Sequence, residues 1–262
     1  MADEVVQVEV DAGSKSATIW LNRPDKRNAL GTELVNALTG ALDALATDDG
    51  VRAVFIRGRG AAFCAGADLA EIRAMKGASA EENRRSSDFL RDFFVRLYAF
   101  PKPTVAVVHG PALAGGCGLA TCCDFVIASD AASFGYPEVR IGFIPALVMV
   151  LLTHQIGERA ARDLCLSGRR IDAHEALRIG LCNRVVAQDA LDAASVELAG
   201  ELAKNSPVSM ANVKAAFWTL HGVSTEAALE AASALNAASR ATEDCQEGIA
   251  AFLEKRKPRW LG

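Results

Sequence analysis

Near the start of the chain, hydrophobic and polar residues alternate in two short runs, "VVQVEV" at 5–10 and "SATIWL" at 16–21, joined by the turn-rich "DAGSK". That pattern predicts a hairpin. Over "TELVNALTGALDALATD" (32–48) the apolar spacing becomes three and four, which predicts a helix with Thr32 as its cap. "VRAVFIRG" (51–58) follows as a buried strand, then a loop of small residues, "RGAAFCAGADL" (59–69). A long charged helix is predicted from about Ala80 to Tyr98, where Pro101 and Pro103 stop it. "TVAVVHG" (104–110), "FVIASD" (125–130) and "ASFGY" (132–136) are the next strands. From Pro145 onward helical spacing takes over: "ALVMVLLTHQIG", "ERAARDLCL", "AHEALRIG", "LDAASVELAGELAKN" and two or three helices more. Strands that are apolar throughout, set between helices, imply an α/β fold with a sheet covered by helices.

Composition changes little in this picture. At 51% apolar and 23% charged residues, the 262-residue chain is that of an ordinary globular domain, and a net charge of −4 offers no basic face to nucleic acid. No apolar run is long enough to span a bilayer, and "MADEVVQVEV" opens with acids where a secretory leader carries basic residues. The expectation is a soluble, cytoplasmic protein without nucleic-acid or membrane partners. The seven cysteines lack a CxxC spacing and are expected to be buried, reduced thiols, with no metal site.

The chemistry concentrates in "HGPALAGGCGLATCCD" (109–124), where Gly110, Gly115, Gly116 and Gly118 bare the backbone and no charge occurs before Asp124. A strand that ends in glycines and enters a helix exposes N–H groups that suit an anion. The run contains neither GxxxxGK[ST] nor GxGxxG, which argues against a nucleotide, and no GxSxG, which argues against a serine hydrolase. An oxyanion pocket of backbone amides remains, with "FCAGADL" (63–69) as the source of a second donor.

"FCAGADL", "HGPALAGGCGLATCCDFVIAS" and "FGYPEVRIGFIP" together closely resemble the crotonase superfamily, the enoyl-CoA hydratases and isomerases. The resemblance extends from "LNRPDKRNAL" (21–30) through "LSGRRIDAHEALRIGLCNRVV" (166–186) to "AFLEKRKPRW" (251–260). It implies a ClpP/crotonase-like spiral of repeated β-β-α units over residues 1–200 and a helical trimerisation region over 201–262. It also implies a homotrimer or homohexamer that acts on an acyl-CoA thioester, with coenzyme A entering as part of the substrate and no further cofactor. By motif position the amides of Ala67 and Gly115 would hold the thioester oxygen as it becomes an enolate, and Glu138 would be the acid/base. Coenzyme A contacts would come from Arg27, from Asp68, Leu69 and Ala70, and from Phe252 and Lys255.

Hydratases of this family carry two glutamates, and this chain has Gly118 at the first position while keeping Glu138 at the second. Two carboxylates suit hydration; a single base can take a proton from one carbon and return it to another, as in Δ3,Δ2-enoyl-CoA isomerisation. Both reactions remain open, with Asp68, Glu71 or Tyr136 as groups that could hold a water, or with Glu138 alone serving hydration. A non-catalytic CoA-ester-binding subunit is the alternative outside enzymology. In place of a glycine-rich turn the chain has "IPALVMV", and Leu147, Val148 and Met149 either reshape the acyl cavity or simply pack a helix. His109, His154, His174 and His221 have no partners at ligand spacing.

Overall fold

A computed structural model describes residues 4–261; the first acidic residue of the N-terminal run, Asp3, and the terminal Gly262 lie outside the described residues. The predicted hairpin is β1 (Val6–Asp11) paired antiparallel with β2 (Ser16–Leu21). Its turn is held by Asp11, whose carboxylate accepts from Gly13 N and Ser14 Oγ. After α1 (Thr32–Ala46), strand β3 (Ala53–Gly58) lies parallel to β2. The loop expected to run to residue 69 gives way there to a short helix, α2 (Leu69–Ala74), before α3 (Ala80–Tyr98). Ser79 caps α3 in a reciprocal capping box with Glu82.

Next come β4 (Thr104–Val108), β5 (Pro111–Leu113), α4 (Gly115–Thr121), β6 (Phe125–Ser129) and β7 (Ser133–Gly135). The two helices read at 146–166 form one element, α5 (Ala146–Ser167), kinked where Gly157 takes φ 77°. The chain continues through β8 (Arg170–Asp172), α6 (Ala173–Arg178), β9 (Arg184–Val186) and α7 (Leu191–Ala203), and ends in α8 (Pro207–Leu220), α9 (Thr225–Arg240) and α10 (Glu243–Leu253).

The large sheet has the order β1-β2-β3-β4-β6-β9, and β5-β7-β8 form a small one. Each turn of the chain lays a strand in the large sheet, steps across to the small one and returns through a helix; the bridges Cys64↔Ala112 and Leu30↔Ala67 extend this step to the earlier turns. The inner strands explain their continuous apolar sequence. Val54, Ile56, Ala106, Val108 and Val126 face one core, under α1 and α3. Phe55, Val105, Val107 and Ile127 face a second, under α7. With both faces covered, polar residues in these strands are confined to positions at or next to their ends: Arg57, Thr104 and Ser129. Each such valine, isoleucine or phenylalanine side chain, fully buried, contributes roughly 1.5–3 kcal/mol.

One capping expectation is corrected. Gly31 occupies the N-cap of α1, and Thr32 N and Oγ1 instead donate to the Glu71 carboxylate at 2.9 and 2.8 Å. A cap delivered from α2 is invisible to local spacing.

Candidate active site

The site is built from loops at the carboxyl ends of the parallel strands, where open α/β sheets commonly place their ligands. Asn28, fully buried, fixes the first of them. Its amide nitrogen donates to the carbonyls of Arg59, Ala62 and Phe63 at 2.9, 2.9 and 3.1 Å, and its oxygen accepts from Arg23 N at 2.9 Å. The chain then passes Leu30 in a parallel bridge. Gly66 O accepts from Leu30 N at 2.7 Å and Asp68 N donates to Leu30 O at 3.0 Å, so the intervening Ala67 N–H points to the opposite side.

The glycine-rich run meets that loop with bare backbone. A Cβ on Gly116 would stand 2.2 Å from Cys64 O, and one on Gly66 would stand 2.6 Å from Ala114 Cβ and 3.2 Å from Gly115 N. Ala114 holds φ 52° and ψ −130°, a conformation that costs an alanine about 1–3 kcal/mol. Its N–H is anchored on Gly135 O at 2.8 Å, and its strained peptide opens α4. The outcome is a pair of adjacent amides. A Cβ on Gly115 would lie 3.7 Å from Ala67 N, and neither the Ala67 nor the Gly115 amide donates a hydrogen bond among the described residues. Two converging free N–H groups at the start of a helix suit an oxygen that gains negative charge.

Glu138 stands three residues beyond Gly135, in a 3-10 turn over Pro137–Ile141. The carboxylate is buried, Oε2 has no hydrogen-bond partner, and burial raises its pKa above the usual glutamate value, opposed only by its own backbone amide. Cys117 and Cys165 are near enough to feel its charge. Such a carboxylate, desolvated and unpaired, is poised to exchange protons.

On α4, the space at Gly118 is filled. A Cβ there would stand 2.2 Å from Val148 Cγ1 and 2.8 Å from Val148 Cβ, and Val148 is 3% exposed. Of the three bulky residues singled out in the sequence, Val148 therefore packs inward, Leu147 is half-buried and Met149 is exposed.

The three groups weighed as water holders are engaged elsewhere. Asp68 accepts from Ala70 N and pairs with Arg23 at 3.3 Å and Lys26 at 3.8 Å, which together hold its carboxyl below the usual range despite burial. Glu71 caps α1. Tyr136 is buried with its hydroxyl 2.8 Å from Thr121 Oγ1; since Thr121 donates to Cys117 O, the tyrosine is the donor. His109 Nε2 is spent on Gly60 O at 2.9 Å.

Of the residues expected to touch coenzyme A, Asp68, Leu69 and Ala70 continue from Ala67 into α2, and Arg27 O accepts from Ala65 N at 2.9 Å, which leaves its exposed side chain beside the first loop. Phe252 and Lys255 are not brought to this group: no hydrogen bond or ion pair among the described residues links α10 or Lys255 to the two loops. Sequence reading missed Asn28, whose role depends on contacts more than thirty residues away, and the stacking of His154 on His221 at 4.2 Å. A cleft of about 240 Å³ between β6 and α7 is no rival site, since its charged residues Arg184 and Glu201 pair with each other at 2.9 Å.

Comparison with known proteins follows the same line. Residues 12–262 match the family described as "Enoyl-CoA hydratase/isomerase". A Thermus thermophilus protein named "Putative enoyl-CoA hydratase" is 47% identical over 253 residues, 97% of this chain and 100% of its own. The 2,3-dehydroadipyl-CoA hydratase of Escherichia coli is 39% identical over 245 residues, 93% of this chain and 94% of its own. Among solved structures, an enoyl-CoA hydratase of Mycobacterium smegmatis superposes with a TM-score of 0.91 at 33% identity, covering 98% of this chain and 99% of the other.

Proposed function

On the premise that the chain belongs to the enoyl-CoA hydratase/isomerase family and has the crotonase fold its motifs implied, we propose that it moves protons on an enoyl-CoA thioester, with Glu138 as the one acid/base. The thioester oxygen accepts from Ala67 N–H and Gly115 N–H. As the adjacent carbon loses its proton to Glu138, the electron pair spreads into the thioester and the oxygen becomes an enolate, stabilised by the two amides. Each donor is worth roughly 3–4 kcal/mol in the transition state. Glu138 then returns the proton to a second carbon and the double bond migrates.

The observation that carries this reading is the pairing of two free, converging amides with one buried, unpaired carboxylate. The relatives' names favour hydration, the second reading, in which water adds at the β-carbon. The closed space beside Gly118 and the engagement of Asp68, Glu71 and Tyr136 favour migration. Coenzyme A arrives with the substrate and would lie along Arg27, Asp68, Leu69 and Ala70. Exposed Phe217, Leu229 and Phe252, at 64%, 66% and 82%, support self-association through α8–α10 into a trimer or hexamer. No helix among the described residues is long and apolar enough to cross a membrane.

Glu138→Gln tests the assignment. Turnover should collapse while an enoyl-CoA still binds; an unchanged rate would remove Glu138 from the mechanism.

A further inference from the structure

Within the proton-transfer reading just given, on which this step rests, we infer that Val148 determines the reaction outcome: its side chain fills the place beside the oxyanion amides where a second acid/base or a held water would have to sit. Gly118 follows Gly115 by three positions, so the two lie on one face of α4 and a side chain at 118 would project beside the amide that holds the thioester oxygen. That direction is occupied. The 2.2 Å approach to Val148 Cγ1 leaves no room for even a methyl group unless the valine moves. Val148 is itself clamped in the main core next to Leu151 and Leu152, on a β-branched side chain with little rotamer freedom in a helix.

The consequence follows from the atoms each reaction must manage. Hydration forms a C–O bond at the β-carbon from a water that gives its proton to a base, and a C–H bond at the α-carbon with a proton from an acid, while the water is held in place throughout; two side chains share that work more readily than one. Migration breaks one C–H bond and makes another, and one carboxylate serves both steps because it receives and returns the same proton. Around Glu138 the described residues offer no side-chain hydrogen-bond partner, and the nearby thiols Cys117 and Cys165, whose pKa values burial pushes up to about 12 and about 11, stay neutral. The valine methyl packed against Gly118 takes the space that a second carboxylate or a held water would need on that face of α4. The double-bond isomer is then the product because the competing step lacks a site for its second reactant.

Two variants test this, each read as the ratio of hydrated to migrated product from the same enoyl-CoA, a quantity independent of how much enzyme is folded. Val148→Thr keeps the shape of the side chain and puts a hydroxyl where the methyl was; hydrated product should rise at least tenfold relative to migrated product. In the double variant Gly118→Glu/Val148→Gly, a carboxylate gains the vacated space and the ratio should rise further, whereas Gly118→Glu alone should lose stability without gaining hydration. A ratio unchanged in both Val148 variants, with migration still measurable, overturns the role of Val148 while leaving the Glu138 mechanism intact. A native protein that only hydrates, or a Glu138→Gln variant with full turnover, overturns the underlying reading instead.

Discussion

Gly115→Ala separates the stability of the site from its chemistry. The added methyl would meet Leu30 Cδ1 at 3.4 Å and Ala67 N at 3.7 Å, ordinary contacts that demand no movement. Gly115 opens α4 with a negative φ, so alanine fits its backbone and should stabilise the fold by about 0.4–1 kcal/mol through the unfolded chain. For a protein of this size that is a rise in Tm of at most about 4 °C. Catalysis should move the other way. A thioester oxygen accepting from both amides must sit about 2.7–3.1 Å from each nitrogen, and the methyl occupies the same shell around Ala67 N. Losing one of the two bonds costs about 3–4 kcal/mol, a fall in kcat of roughly 10²–10³. The assay is steady-state turnover of an enoyl-CoA alongside thermal unfolding. A variant that melts at or above the native temperature and keeps more than a tenth of the native kcat would refute the assignment of these amides.

Gly116→Ala should fail differently: its methyl would stand 2.2 Å from Cys64 O, so the loops must part, and both kcat and Tm should drop, with overpacking costing about 1–3 kcal/mol by denaturant unfolding. Asn28→Ala removes four hydrogen bonds and strands buried carbonyls of the first loop; a loss of about 2–4 kcal/mol is expected by the same measurement, with kcat falling alongside. Because burial raises the Glu138 pKa, the folded state binds its proton more tightly than the unfolded state, so this group's contribution to stability falls as pH rises from the unfolded value toward the folded one. Glu138→Gln should therefore gain Tm relative to the native protein as pH increases through that window, and the acid limb of native kcat should lie above the ordinary carboxylate range. At the other end of the chain, Arg256 and Arg259 hold the Glu247 carboxyl down to about 2, so its contribution is complete above about 4.5 and lost as pH falls toward 2. Glu247→Gln should speed hydrogen exchange in residues 256–261 at neutral pH, and unaltered exchange would count against this anchor.

Much of the fold was legible because its inner strands are buried on both faces, which leaves runs such as "VAVV" (105–108) with no polar position to confuse the reading. The glycine-rich run was legible for a related reason: Gly66 and Gly116 make close backbone approaches to the facing loop that no side chain allows. What escaped was non-local. The α1 cap comes from Glu71, thirty-nine residues away, and Asn28 acts on carbonyls thirty-one to thirty-five residues ahead. Gly118 could be noticed in sequence as a missing carboxylate, but that Val148 fills its space required the packing of α4 on α5. The short β5 and α2 were missed because three and six residues carry too little periodicity to register.

The most direct test of the account is to give the purified protein a trans-3-enoyl-CoA and, separately, a trans-2-enoyl-CoA, following the conjugated-thioester absorbance with mass analysis of the products. One-base migration by Glu138 predicts that absorbance grows from the first with no change in mass and that the second gains no water. Loss of absorbance from the second with the mass of one added water, and an inert first substrate, would contradict it.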